Sequence, residues 1–253
     1  ADLDGVYTLH SIEDAEGIRA RLVSGANVLV IGAGWIGLEV AAAARKRDAN
    51  ATVIELADRV CARALTPEMS AWVHELHVSH GVEIRLSAAF DHFEGDGKLQ
   101  RAVLGDGTAI PCDVAVVGIG LIPNTELAEQ AGLSIDNGIV VDEHGQTSHP
   151  DIFSAGDVTN HPNALLGRRV RLESWENAQN QGINAAKAML GTMQPYAEIP
   201  WFWSDQYDAN IQMMGLPENW DETVIRGDRD AGEFIEFYLK EGEIQGAAAI
   251  NNA

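Results

Sequence analysis

The stretch "VLVIGAGWIGLEV", residues 28–40, decides the fold. Four apolar residues, 28–31, predict a buried strand that runs into a glycine-rich turn, and an alanine-rich helix follows the turn. The segment "ATVIE", residues 51–55, then predicts a second buried strand. Strand, turn, helix and strand form a βαβ unit, and the handedness of such units makes the two strands parallel. The stretch therefore predicts a Rossmann-like dinucleotide-binding domain.

The turn itself has the spacing GxGxxG. Gly32 permits the tight turn, Gly34 lets the backbone approach a pyrophosphate, and Gly37 lets the helix pack on the strand. The amides at the N-terminus of the helix attract phosphate groups. The motif is weak evidence alone, but here it lies between a strand and a helix, so we expect a nucleotide at this turn.

Glu55 lies at the tip of the second predicted strand. A carboxylate in this position accepts hydrogen bonds from both hydroxyls of an adenosine ribose, and its charge repels a 2′-phosphate. Glu55 therefore favours NAD over NADP. Arg59 and Arg63 follow closely in the sequence, and they leave NADP open as the alternative.

The rest of the first 122 residues continues the pattern of an α/β domain. An amphipathic helix is expected at 12–24, with Ile12, Ala15, Ile18 and Leu22 on its apolar face. Further along we predict a helix that begins at Thr66 and Pro67, a strand at 82–86, an antiparallel β-meander at 88–111 and a strand at 113–120.

Two further strand ends carry glycines. "VVGIG", residues 116–120, would let a ligand lie across Gly118 and Gly120, although a plain strand-to-loop turn explains the same pattern. "IFSAGDV", residues 152–158, predicts an apolar strand that ends in Gly156 and Asp157, whose carboxylate can accept hydrogen bonds from a polyol. A helix N-cap is the alternative role for Asp157.

Histidines and tryptophans offer less specific signals. His74, His77 and His80 are three residues apart on one predicted helix, and we expect them on a solvent-exposed face rather than around a metal ion. The chain has six tryptophans. Packing in the core is their default role, and ring stacking on a ligand is the alternative for Trp175 or Trp203.

Charge and cysteine content limit the classes of partner. The 253 residues include 17 basic and 38 acidic side chains, a net charge of −21, which argues against nucleic acid or an anionic membrane as a partner. Arg168, Arg169 and Arg171 nevertheless cluster, either as ordinary surface charge or as a docking site for an acidic partner. Two cysteines that form no metal or CxxC motif suit the cytoplasm, and no apolar run is long enough to span a membrane.

Five segments together resemble the FAD-dependent, NADH-oxidising ferredoxin reductases that supply bacterial Rieske oxygenases and cytochromes P450. They are "GAGWIGLEVAAAARKR", "VVGIGLIPNTELAEQAGL", "DIFSAGDV", "RLESWENAQNQGINAAKAMLG" and "PWFWSDQYDANIQMMG". The likeness runs in order along nearly the whole chain. Its C-terminal part, from "PWFWSDQ" to "EFIEFYLKEGEIQG", is far more specific than the glycines.

The resemblance implies an FAD domain interrupted by an NAD domain and followed by an interface domain, a layout similar to that of glutathione reductase. It predicts the end of an FAD-domain segment or a linker at 1–19, the NAD-binding domain with its β-meander at 20–122, a second FAD-domain part at 123–197 and a truncated α+β interface domain at 198–253. Members of the family begin with their own GxGxxG for FAD. The sequence has none before residue 28, so we expect a fragment of a longer reductase.

Site roles follow from the same resemblance. On the NAD side it implies that Glu39 lies near the nicotinamide amide and Glu55 near the adenosine ribose, and that the remaining residues line the cofactor: Gly32, Gly34, Trp35, Ile36, Gly37, Arg63, Gly118 and Gly120. On the FAD side it implies that Asp157 holds the ribityl and pyrophosphate region and that Trp175 forms the wall beside the flavin, with Gly156, Glu173 and Trp203 also in the site.

The implied reaction is hydride transfer from NADH to FAD, followed by single-electron transfer to a [2Fe–2S] ferredoxin. The cofactors carry this chemistry, so we expect no catalytic side chain and no metal ligand. One alternative is a flavin disulfide reductase or NADH oxidase whose redox cysteine lies in the missing segment. Another is an NAD-binding signalling protein akin to apoptosis-inducing factor. The sequence predicts no oligomeric state.

Overall fold

The computed structural model describes residues 3–218 and 220–252. These residues form two compact units. The first unit extends to Gly120 and includes Ser204–Asp208, and the second unit comprises Leu121–Trp203 and the residues from Ala209 onward. The expected domain boundary at residue 122 lies close to the end of the first unit at Gly120.

The first unit contains eight strands and three helices within its part up to Gly120. In chain order they are β1 (Val6–Thr8), α1 (Ile12–Arg21), β2 (Asn27–Ile31), α2 (Trp35–Arg45), β3 (Asn50–Ile54), α3 (Pro67–Ser79), β4 (Glu83–Arg85), β5 (Phe90–Gly95), β6 (Leu99–Leu104), β7 (Ala109–Pro111) and β8 (Val114–Val117).

The main sheet of the first unit has the strand order β1-β8-β2-β3-β4, and every neighbouring pair is parallel. Val28–Ile31 of β2 are buried, as the apolar run predicts. Strand β2 leads through the glycines into α2, and β3 then pairs with β2. This parallel βαβ arrangement confirms the predicted Rossmann-like fold.

The β-meander is also confirmed. Strands β5, β6 and β7 form a separate antiparallel sheet. Leu99, Ala102 and Leu104 of β6 pack with Leu29 and Ile54 of the parallel sheet in one buried cluster. The insertion is therefore stabilised through the apolar core of the first unit.

The N-terminal segment joins this unit. Strand β1 pairs with β8, with Val6 opposite Ala115, although we expected residues 1–19 to trail from an FAD domain. The structure confirms helix α1, but its apolar face is narrower than predicted. Ile18 and Leu22, four residues apart, are buried, whereas Ile12 is 75% exposed and Ala15 is also exposed. The first helical turn, with Glu13 and Asp14, faces water.

The second unit begins with the following elements: α4 (Glu126–Gln130), β9 (Ile139–Val140), β10 (Thr159–Asn163), β11 (Arg168–Val170) and α5 (Trp175–Met189). These three strands form one sheet in the order β11-β10-β9. The strand predicted at 152–158 is wrong, because Phe153 forms an isolated bridge with Gln146 and β10 begins only at Thr159. Gly156, at φ +82°, turns the chain out of the extended conformation.

The C-terminal block contains β12 (Trp201–Gln206), β13 (Ala209–Gly215), β14 (Glu222–Asp228), β15 (Glu233–Lys240) and β16 (Glu243–Ile250). Its sheet order is β12-β13-β16-β15-β14. The predicted hairpin turn is confirmed: Glu241 and Gly242, at φ +52° and +82°, join β15 to β16 as a two-residue turn requires. The helix of the expected α+β domain is absent from residues 198–218 and 220–252.

No helix within the described residues is both long and apolar enough to span a bilayer.

Candidate functional site

The glycine turn, Gly32–Gly37, is held in contact with the end of β8. Gly32 has φ +104°, and a Cβ atom on it would lie 2.4 Å from the carbonyl oxygen of Gly118. A Cβ atom on Gly37 would lie 2.0 Å from the carbonyl oxygen of Gly32. Both positions therefore require glycine. The structure thus brings together the two glycine-containing strand ends that the sequence singled out.

Gly34 is different, because a Cβ atom built on it meets no atom within 4 Å. It is the N-cap of α2, and no side chain of the described residues caps the helix there. Helix α2 is 11 residues long, so its first N–H groups form a positively polarised end that faces this open space. Such an end binds an anionic group well. The space beside Gly34 fits a pyrophosphate.

Glu55 lies beside the same turn. Its Oε2 accepts a hydrogen bond from the Ala33 N–H at 2.7 Å, and its Oε1 accepts one from the Ala57 N–H at 2.8 Å. These bonds fix a half-buried carboxylate at the tip of β3. Arg59 donates to the carbonyl oxygen of Ala62 within its own loop, at 2.8 Å. The arrangement gives the turn a fixed negative charge.

Several residues near the glycine turn are accessible to solvent. Arg63 and Ile36 are exposed, Trp35 is half-buried, and Ile119 is 71% exposed between Gly118 and Gly120. Gly120 has φ +110° and open space at its Cβ position. The apolar surfaces of Ile36 and Ile119 are therefore accessible to a ligand.

Glu39 projects from α2, about one helical turn after its first residue, Trp35. The hydroxyl of Ser204 donates a hydrogen bond to its Oε1 at 2.5 Å. The side chain retains access to solvent, but the surrounding protein displaces enough water to raise its pKa. The Ser204 bond opposes this rise, and the negative charge of Asp205 adds to it.

The expectation that the three histidines of α3 share a solvent-exposed face is wrong for His77. It is fully buried, with Nε2 2.7 Å from Oε1 of Gln206, and burial lowers its pKa. The signal was present in the sequence, because His77 follows buried Met69 and Val73 at intervals of four residues. His80 is exposed, and no group of metal-ligating side chains occurs in the residues described.

Two carboxylates of the second unit, those of Asp157 and Glu173, lie near Arg171. Arg171 forms an ion pair with Glu173 at 2.7 Å and donates to the carbonyl oxygen of Asp157 at 3.1 Å. Burial raises the pKa of Asp157, the charge of Glu173 raises it further, and Arg171 lowers it. Because β10 follows Asp157 in the chain, the helix N-cap interpretation is wrong. The N–H of Gly156 donates to Oε1 of Gln181 on α5 at 2.7 Å.

Three tryptophans form an accessible cluster in the second unit. Trp175, the first residue of α5, is 66% exposed and lies edge-on to Trp203, with 6.1 Å between ring centroids. Trp203 stacks on Trp201 at 5.1 Å and 24°. The default of core packing is therefore wrong for Trp175. This tryptophan cluster, Trp175, Trp201 and Trp203, offers accessible aromatic rings for stacking.

Each arginine of the 168–171 cluster has a partner within the second unit. Arg168 pairs with exposed Glu218 at 2.7 Å. Arg169 donates to the carbonyl oxygen of Val141 at 2.7 Å and also to Asn160. Arg171 is the partner of Glu173. Arg168 and Arg169 are exposed to solvent, whereas the Arg171 side chain is only 11% exposed.

A parallel sheet whose glycine turn meets a helix N-terminus defines a dinucleotide-binding protein. Residues 1–182 match the family "Pyridine nucleotide-disulphide oxidoreductase", and residues 201–253 match "Reductase C-terminal". The chain belongs to the pyridine nucleotide-disulphide oxidoreductase family.

Two of the proteins that this chain resembles are named as ferredoxin reductases. The chain is 48% identical to the ferredoxin–NAD(+) reductase component of the anthranilate 1,2-dioxygenase system of Burkholderia cepacia, over 97% of this chain and 61% of that protein. It superimposes on the ferredoxin reductase for the CYP199A2 system from Rhodopseudomonas palustris with a TM-score of 0.95 and 39% identity, covering 99% and 62% of the two chains.

A second similar structure contains a partner protein. The chain superimposes on a chain of the covalent putidaredoxin reductase–putidaredoxin complex with a TM-score of 0.94 and 40% identity. The match covers 99% of this chain and 61% of that one. The chain thus spans about three fifths of the length of the relatives that it matches.

Proposed function

We propose that the protein transfers electrons from NADH through FAD to a [2Fe–2S] ferredoxin that serves a Rieske-type dioxygenase or a cytochrome P450. The similarity to ferredoxin reductases of both kinds of system supports this function, since it covers 97–99% of the chain. The single observation that carries the NADH half is the open N-terminus of α2 at Gly34, with the carboxylate of Glu55 fixed beside it.

The first unit supplies the groups that an NAD molecule needs. The N–H groups at the start of α2 would hold the pyrophosphate beside Gly34. Glu55 would accept hydrogen bonds from the adenosine ribose through lone pairs that Ala33 and Ala57 leave unused. A 2′-phosphate would bring a second negative charge against this carboxylate, so the donor is NADH rather than NADPH.

The second unit supplies groups that fit FAD. The carboxylates of Asp157 and Glu173 are exposed and lie near Arg171, where they would accept hydrogen bonds from the hydroxyls of the ribityl chain. Trp175 and Trp203 present ring surfaces against which a flavin would pack. When bound, FAD supplies the conversion between a two-electron donor and a one-electron acceptor.

We place the ferredoxin near Arg168. Of the three clustered arginines, Arg168 has a solvent-exposed ion pair as its main partner, which costs little to exchange for an ion pair with another protein. Arg169 and Arg171 hold backbone carbonyl groups of their own unit and would stabilise the segment that carries Arg168. With a net charge of −21, the chain needs such a local cationic site to attract an acidic partner.

The test is NADH-dependent reduction of a [2Fe–2S] ferredoxin by the complete protein with FAD bound. We expect turnover with NADH and a KM for ferredoxin that rises about threefold in Arg168→Ala, because a rim charge acts mainly on association. Failure to reduce any ferredoxin while FAD is bound and NADH is oxidised would contradict the proposal. That result would favour the flavin disulfide reductase or NADH oxidase alternative.

A flavin disulfide reductase is the alternative function, and it would need a redox cysteine other than Cys61 and Cys112. The chain also resembles an NAD-dependent persulfide reductase from A. fulgidus, at 30% identity and a TM-score of 0.88. Burial raises the pKa of Cys61 to about 12 and that of Cys112 to about 11, so neither thiol is activated as a thiolate. We also propose a cytoplasmic location, because two free buried thiols suit a reducing compartment.

A further inference from the structure

Five side chains of the first unit form an unbroken series of hydrogen bonds that ends at Glu39. Tyr207 Oη lies 3.2 Å from His77 Nδ1, and His77 Nε2 lies 2.7 Å from Gln206 Oε1. Gln206 Nε2 donates to Ser204 Oγ at 3.0 Å, and Ser204 Oγ donates to Glu39 Oε1 at 2.5 Å. We name this series the donor chain.

All four bonds of the donor chain run in one direction. Gln206 Oε1 accepts only, so His77 must carry its proton on Nε2. The Nδ1 atom of a neutral His77 then accepts a hydrogen bond from the Tyr207 hydroxyl. Burial lowers the pKa of His77, which agrees with the neutral form. Every hydroxyl, ring or amide donor thus points toward the carboxylate, and such chains strengthen one another.

The donor chain is buried along most of its length. His77, Gln206, Ser204 and Tyr207 are between 0% and 9% exposed. Buried polar groups that are fully paired hold one geometry, because breaking any bond leaves an unsatisfied group away from water. The carboxylate at the end of the chain is therefore held in one orientation, although Glu39 itself retains access to solvent.

We propose that Ser204 is a positioning residue for the dinucleotide, and that Gln206, His77 and Tyr207 act through it. The Ser204 hydroxyl holds Oε1 of Glu39, and Oε2 would then accept a hydrogen bond from the carboxamide N–H of a bound nicotinamide. The donor chain thereby makes the site specific for a carboxamide on the pyridine ring. This inference rests on the proposed function, because it requires NADH in the first unit.

The experiment measures flavin reduction by NADH in the complete, FAD-containing protein under anaerobic conditions. Ser204→Ala should raise the apparent Kd for NADH about tenfold, since a hydrogen bond to a charged group is lost. Tyr207→Phe should raise this Kd about threefold, because it removes only the hydrogen bond of the donor chain that is farthest from Glu39. The control is Ser70→Ala, which removes a buried serine hydroxyl that donates to the Val60 carbonyl and has no link to Glu39. Its Kd should stay within twofold of wild type.

Two further measurements separate positioning from a general structural effect. With reduced 3-acetylpyridine adenine dinucleotide, which lacks the amide N–H, Ser204→Ala should change the Kd less than twofold. In a Glu39→Ala background, Ser204→Ala should add less than a twofold effect. Flavin content and the unfolding midpoint of each variant report on folding.

The proposal is overturned if Ser204→Ala and Tyr207→Phe both bind NADH as wild type does. It is also overturned if Ser204→Ala weakens the acetylpyridine analogue as much as NADH, or retains its full effect without Glu39. A wild-type protein that binds FAD but neither binds nor oxidises NADH contradicts the proposed function itself, and the positioning role falls with it. Wild-type NADH oxidation without any of the variant effects contradicts only the positioning role.

Discussion

The two regions that we assign to nucleotides differ in how completely their own unit builds them. At the glycine turn, backbone contacts leave no room for a side chain on Gly32 or Gly37, and Glu55 is fixed by two backbone N–H groups. In the second unit, Trp175 is 66% exposed and the carboxylates of Asp157 and Glu173 face water. The first region is set by close backbone packing, whereas the second presents solvent-exposed side chains on an open surface.

This difference indicates which substitutions act on the fold and which act on binding. Where the backbone is tightly packed, a single added methyl group must shift main-chain atoms. Where side chains are exposed, their removal changes little in the protein alone and acts on what binds there. We therefore expect the largest effects of substitution in the packed region and smaller effects at the open surface.

The largest effect is expected at Gly37. In Gly37→Ala the Cβ atom would lie 2.0 Å from the carbonyl oxygen of Gly32, so the strand and helix must separate. We expect a loss of about 2–3 kcal/mol in the free energy of unfolding, measured by denaturant titration, and loss of NADH binding. Gly34→Ala is the matched control, because its Cβ meets open space. It should fold as wild type and bind NADH less well, and normal binding would remove the pyrophosphate from this position.

The second effect concerns Glu55. Glu55→Ala should raise the Kd for NADH about a hundredfold, because two charge-assisted hydrogen bonds to the ribose are lost. The preference for NADH over NADPH should fall with it. Exposed Glu83 on β4 pairs with Arg85 in the same sheet and serves as the control, since Glu83→Ala should leave both values unchanged. Fluorescence titration of the reduced nucleotides measures both, and equal Kd values for wild type and Glu55→Ala would exclude Glu55 from the site.

A third, smaller effect tests the open surface. Trp175→Ala should weaken FAD retention about fivefold, because one aromatic stacking partner contributes about 1 kcal/mol. The unfolding midpoint of the FAD-free protein should not change. Trp220→Ala is the control, as Trp220 packs beside Tyr238 and lies 37% exposed. Equal FAD loss from both variants would show that Trp175 has no particular role.

The smallest effect is a pH dependence of the free energy of unfolding. Each unit contributes to it through one buried histidine. His77 in the first unit and His161 in the second are buried, and burial lowers both pKa values. Below pH 6.5 the unfolded chain therefore binds protons that the folded chain does not, and stability falls until the lowered pKa is reached, by at most about 1.4 kcal/mol per pH unit for each histidine.

Denaturant titrations between pH 7.5 and about pH 5 check this dependence. His161→Phe should flatten the loss of stability on acidification, because it removes one of the two buried histidines. His10→Gln, at an exposed position, is the control and should keep the wild-type slope. A slope in His161→Phe equal to that of wild type would show that the pKa of His161 is the same in the folded and unfolded protein.

Local sequence signals were sufficient for much of the fold. The βαβ unit, the β-meander and the turn at Glu241 and Gly242 follow from hydrophobic periodicity and glycine placement within a few residues. The strand at 152–158 was mispredicted because its apolar residues resemble a buried strand, while Gly156 turns the backbone. Apolar composition alone does not distinguish the two.

The site was predictable only where its parts are close in sequence or where a family resemblance supplied them. Ser204 and Glu39 are 165 residues apart, and Gln206 and His77 are 129 residues apart. No local pattern encodes such a pairing, so the donor chain was not anticipated and His77 was expected in solvent. The burial of His77 was nevertheless indicated by its place on the apolar stripe of α3.

A crystal structure of the complete FAD-bound protein with NAD⁺ addresses the proposed dinucleotide site at atomic level. The account predicts the pyrophosphate on the N–H groups at the start of α2 beside Gly34, and the adenosine ribose hydroxyls on Glu55. It predicts the nicotinamide carboxamide on Oε2 of Glu39, with the Ser204 bond to Oε1 retained. An NAD⁺ molecule bound away from the glycine turn, or one whose ribose does not contact Glu55, would contradict it.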